Sequence, residues 1–72
     1  MVQIVYVLEL AQPTGYARVH FAQSLGAAQR AVRKHRPAGT WQPVDTDPKI
    51  KSQLLDGGRE LARVVREVVE YF

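Results

Sequence analysis

"LLDGGRELARVVREVVEYF", Leu54 to Phe72, is the stretch on which the fold turns. Leu61, Val64, Val65, Val68, Val69 and Phe72 follow the i, i+3, i+4, i+7, i+8, i+11 series of a helical stripe, and all six charges from Arg59 to Glu70 fall outside it. Read as a strand, the segment mixes charge with apolar groups on both faces: Glu60, Ala62, Val64, Arg66, Val68 and Glu70 on one, and Leu61, Arg63, Val65, Glu67, Val69 and Tyr71 on the other. Two features oppose the helix. The four valines are stiff at their branched carbon and prefer strands, and Asp-Gly-Gly can close a hairpin. Periodicity is given the greater weight, so residues 59–72 are expected to be a helix, with hairpin strands as the alternative.

Immediately upstream, "DTDP" offers Asp47 as an N-cap and Pro48 as the first helical residue, so 48–56 is expected to form two helical turns stopped by Gly57 and Gly58. "GTWQPV", 39–44, reads as a short strand that Pro43 confines to an edge or a bulge. Before it, Ser24 is a good N-cap for an amphipathic helix ended by Pro37 and Gly39. Leu25, Ala27, Ala28, Ala31 and Val32 share one arc of that helix, with His35 among them, and its alanines permit close approach to a sheet. Arg30, Arg33 and Lys34 share the opposite arc.

The N-terminal third is strand-like. "VQIVYVLEL", 2–10, is rich in β-branched and aromatic residues, with Val2, Ile4, Tyr6, Leu8 and Leu10 on one side and Gln3, Val5, Val7 and Glu9 on the other. Both sides are partly apolar, as in a strand covered on both faces or lying inside a dimer. "QPTG", 12–15, supplies turn chemistry, and "YARVHFA", 16–22, alternates Ala17, Val19 and Phe21 against Tyr16, Arg18 and His20. Residues 1–72 thus read as a single α+β domain: an N-terminal β-hairpin plus a short strand, an amphipathic helix packed on one face, and a C-terminal helix. The alternative chain order is ββαβββ.

Seventy-two residues lie near the lower limit for a chain that folds without metal or disulfide, which leaves room for a homodimer or a stable partner. There is no cysteine, so disulfides, thiolate zinc sites and cysteine nucleophiles are excluded. The longest apolar run, Ile4 to Leu8, is too short to span a bilayer, and no signal-peptide pattern is present; a cytoplasmic protein with no membrane role is expected.

The chemistry-bearing residues form no reactive set. Gly57-Gly58 lacks the Lys-Ser/Thr of a phosphate-binding loop. His20 and His35 sit at no ligand spacing with each other or with a carboxylate, so neither metal nor cofactor is expected. Ser24 is explained by capping, and Asp45 and Asp47 by turn and cap roles. No enzyme is expected. What remains is charge: the net +3 contains +4 from Arg30, Arg33, Lys34 and Arg36 within 24–36, leaving −1 elsewhere (+3 minus +4). A solvated helix face explains such a run as well as a binding surface does. With Lys49 and Lys51 the cations would neutralise about three to five phosphates, giving salt-steep nucleic-acid binding without base readout. The expected function is docking. Trp41 and Tyr16 would make apolar contact, while Arg30, Arg33, Lys34 and Arg36 meet an acidic surface of a host protein or nucleoprotein complex.

Two resemblances bear on this. "SLGAAQRAVRKH" after a hairpin, then "GTWQPV" and "LLDGGRELARVV", resembles the layout of small accessory proteins of phages and mobile elements, including some anti-CRISPR inhibitors. That resemblance implies a non-enzymatic inhibitor of a host defence complex. "IVYVLEL", "GYARVHF" and the Arg30 helix are similar to GIY-YIG nuclease domains, where Tyr6 and Arg30 would correspond to a hairpin tyrosine and a helix arginine. Val19, His20 and Phe21 stand where the second tyrosine belongs and Ala62 lies near the place of the metal-binding glutamate, so the catalytic set does not carry over.

Overall fold

A computed structural model describes residues 1–35 and 38–70. The strands are β1 (Val2–Gln12), β2 (Gly15–Ala22), β3 (Thr40–Pro43), β4 (Ile50–Asp56) and β5 (Arg59–Glu70). They form one antiparallel sheet in the order β2-β1-β5-β4-β3. Helix α1 (Leu25–Ala31), continued by a single 3₁₀ turn at Val32–Lys34, lies against β1, β2 and β5. This is a small α+β domain in the order ββαβββ, the alternative arrangement of the C-terminal half.

The expected C-terminal helix is therefore corrected: 59–70 is the longest strand, and Tyr71 and Phe72 lie outside the described residues. The turn decides it. Gly57 and Gly58 have φ of +58° and +82°, the two left-handed residues of a type I′ turn, and Asp56 pairs with Arg59 across them. The charges that spoil each face of an isolated strand have cross-strand partners here: Arg63 with Glu9, Glu67 with Arg18, and Glu60 with Gln53 and Tyr16. A register shift between Leu54 and Leu55 leaves Leu61 as an extra residue, so that Leu61 packs toward the core beside Ala62.

The expected helix at 48–56 is likewise a strand. The Asp47 carboxylate accepts the Lys49 N–H at 2.9 Å, and the Asp47 carbonyl accepts the Ile50 N–H at 3.1 Å, with Pro48 between them. This is a β-turn entering β4, for which Asp and Pro are as well suited as for a helix start.

The N-terminal hairpin, the Ser24 cap and the edge position of β3 agree with the sequence. Ser24 Oγ accepts the Ala27 N–H at 3.2 Å. In β2 the alternation breaks at a bulge: His20 opposes Leu8 and Arg18 opposes Glu9, so Val19 is the extra residue. Phe21, expected beside Ala17 and Val19, instead opposes Val7 and points away from the helix, 60% exposed. The core lies between sheet and helix, built from Leu8, Leu54, Ala62 and Val64 below Ala28 and Val32. Ala28 is fully buried, the close approach its small side chain permits.

Candidate interaction surface

The sheet has two unlike faces. On the face away from the helix, Glu9 is 5% exposed and receives Arg63 Nε at 2.7 Å and Arg18 Nε at 3.0 Å. Arg18 also donates to Glu67, which raises the Arg18 pKa. The Arg63 guanidinium lies 3.5 Å from the centroid of the Tyr16 ring, and the Tyr16 hydroxyl donates to Glu60. That hydrogen bond, with burial, pushes the Tyr16 pKa above its ordinary 10.0. Glu9, Arg18, Arg63, Glu60 and Glu67 are thus all met by partners on this face.

The helix side differs. Arg30 from α1 and Arg33 and Lys34 from the 3₁₀ turn are all exposed, and among the described residues none of them makes an ion pair. Arg30 and Arg33 line a cleft of about 270 Å³ between the helix and β3, together with Gln29 and Trp41. Trp41 of β3 opposes Leu54 of β4 and packs partly against the core, so one edge of the cleft is anchored. Gly39 also lines it. With φ of +101°, it passes so near β4 that a Cβ would lie 2.9 Å from the Leu55 carbonyl oxygen. Across the helix, Gln29 donates to the buried Ser52 hydroxyl at 3.0 Å, fixing the helix over β4.

Of the expected contact residues, the structure brings Arg30, Arg33 and Trp41 to one cleft and leaves Lys34 on the exposed 3₁₀ turn, outside the cleft lining. Arg36 lies outside the described residues. Tyr16 is elsewhere, on β2 at the far side of the sheet from β3 and on the opposite face, engaged with Glu60 and Arg63. Lys49 lines a separate depression with Arg66 and Glu67. Tyr6 packs against the core, and Ala62 is buried in β5. His35 follows the 3₁₀ turn and is exposed, because the helix ends before it can join the apolar arc. The Glu9 network was not foreseen; its one sequence signal is a carboxylate inside an otherwise apolar strand.

Among the described residues no group of three or more His, Cys, Asp or Glu is placed to hold a metal, and no helix is long and apolar enough to cross a membrane. Compared with known proteins, the chain matches no family model, no curated protein and no solved structure.

Proposed function

We propose that the protein is a small cytoplasmic, non-enzymatic binding module that docks the cleft between α1 and β3 onto an acidic surface of a host protein or nucleoprotein complex. Inhibition of that complex, in the manner of small phage anti-defence proteins such as anti-CRISPR inhibitors, is the form of action assigned to it. The supporting observation is the contrast in charge pairing: Arg18 and Arg63 are neutralised on one face, whereas on the other Arg30 and Arg33 line the cleft with Trp41 and, like the neighbouring Lys34, make no ion pair among the described residues. Unpaired arginines next to an anchored indole suit a contact in which charge orients the encounter and the aromatic contributes buried area.

A nucleic-acid partner is the second reading, favoured by the same closeness of Trp41 to two arginines. Trp41 is the only tryptophan, so its emission reports on the cleft directly. Titration with a Glu/Asp-rich peptide and with single-stranded and duplex oligonucleotides across a salt series separates the readings. A peptide response stronger than the oligonucleotide response supports protein docking. Tight oligonucleotide binding that falls steeply with salt supports the second reading.

A further inference from the structure

β1 and β5 run past their neighbours. β2 reaches only to Ala22, opposite Tyr6, and β4 only to Ile50, opposite Val65. Val2–Val5 and the facing Glu67–Glu70 therefore form a two-stranded arm that, among the described residues, pairs with no third strand. The arm carries Val2, Ile4, Val68 and Val69, four of the seven large apolar side chains that are exposed among the described residues. Association is expected where such exposure concentrates.

Open strand edges invite pairing, and three of the four among the described residues carry deterrents. β3 is four residues long and ends in Pro43; β2 is bent by its bulge and bears Arg18; the open part of β5 bears Glu67 and Glu70. The open part of β1, Val-Gln-Ile-Val, has no charge and no proline, and three of its four residues are β-branched. We propose that β1 pairs antiparallel through this edge with β1 of a second copy, forming a two-fold dimer.

The register follows from two constraints. A two-fold axis perpendicular to a sheet keeps each copy's faces on the same side, so opposed residues share a face and the axis must pass through a residue position. Centring on Ile4 would set Val2 against Tyr6, a place already taken by Ala22. Centring on Gln3 is the longest register left. Gln3 then opposes its counterpart, Val2 opposes Ile4 in both directions, and these apolar residues join Val68, the β5 neighbour of Ile4. The two helices lie on the same side of the joined sheet. That the dimer thereby presents two docking clefts in one direction rests on the function proposed above, whereas the pairing itself does not.

Sedimentation velocity of the whole chain over a wide concentration range tests this, with Ile4→Lys, Gln3→Cys and Val5→Cys. The chain has no cysteine, so each introduced thiol reports only on its own site. Opposed antiparallel Cα atoms lie about 4.5–5.5 Å apart, within disulfide reach. Wild type is expected to become dimeric as concentration rises and Ile4→Lys to lose the dimer with its circular dichroism unchanged. Gln3→Cys is expected to lock as a covalent dimer in air, and Val5→Cys, off the axis, is not. A wild-type chain that stays monomeric throughout overturns the proposal. So does a dimer that survives in folded Ile4→Lys, or cross-linking no faster at Gln3→Cys than at Val5→Cys. If Ile4→Lys fails to fold, the cysteine pair decides.

Discussion

Glu9 of β1 and Arg63 of β5 oppose each other in the middle of the sheet, Arg63 Nε donating to Glu9 Oε1 over 2.7 Å. Arg18 reaches the other oxygen from β2 at 3.0 Å, so one carboxylate ties three strands together on the face that no helix covers.

Removing that carboxylate leaves two arginines flanking β1 without their shared partner. Glu9→Ala is expected to cost about 2–3 kcal/mol, near the upper range for charge-assisted hydrogen bonds and below that for a fully buried pair. Glu67→Ala removes a more exposed partner of Arg18 and is expected to cost less than about 1 kcal/mol. Urea unfolding of the two variants beside wild type checks the order.

Tyr16 links stability to high pH. Its folded pKa is raised by the hydrogen bond to Glu60, so folding favours the protonated phenol. The stabilisation is fully present below the unfolded value of about 10 and is lost as pH rises through the higher folded value. Tyr16→Phe is expected to flatten the fall in melting temperature above about pH 10, since the phenol titration is gone. The difference between the two melting curves isolates Tyr16 from the other groups that titrate there.

The β4–β5 turn separates hairpin from helix in a single substitution. Nothing lies within 4 Å of a Cβ added at Gly57, so the cost of a side chain there is purely that of its φ of +58°. Gly57→Ala is expected to destabilise by about 1–2 kcal/mol. Gly57→Asn is expected to be nearly neutral, because Asn-Gly suits a type I′ turn. In a helix, alanine would have been the better residue. Chemical denaturation of the two variants measures the order.

Gly26 sits one helical turn before Arg30, and a Cβ there would meet Arg30 Nη1 at 3.2 Å. The flexible guanidinium can give way, so Gly26→Ala is expected to stabilise the helix by about 0.5–1 kcal/mol. It also shifts Arg30 within the cleft. Thermal melts and the Trp41 titration, run on the same variant, should therefore move independently.

The parts of the fold that were legible in the sequence rest on local chemistry. The β1–β2 hairpin follows from alternation and the Pro-Thr-Gly turn, the helix start from Ser24, and the edge strand from Pro43. The segments misread as helices share one cause: the groups that make them strands are remote in sequence. Arg63 and Glu67 look unsuited to a sheet until Glu9 and Arg18, more than forty residues away, are set beside them. Asp47-Pro48 is ambiguous in itself, and Leu54 acquires its strand role only through Trp41 and Ala62 on either side. In β2 a single bulge turned Phe21 outward, which alternation cannot foresee. Charge clustering and the edge position of Pro43 pointed to Arg30, Arg33 and Trp41, which share one cleft, while Tyr16 is separated from them because β2 lies at the other edge of the sheet and Tyr16 alternates with the core-facing Ala17.

Arg30, Arg33 and Lys34, without ion pairs among the described residues, are proposed to select the partner. Parallel capture from native host extract, with and without nuclease treatment, on immobilised wild type and on the folded variant carrying Arg30→Glu, Arg33→Glu and Lys34→Glu, with quantitative mass spectrometry of what is retained, tests this. Wild type is expected to retain an acidic protein or nucleoprotein component, with or without nuclease, and the variant to lose it. Equal retention by both, or retention by wild type that disappears with nuclease alone, would contradict it.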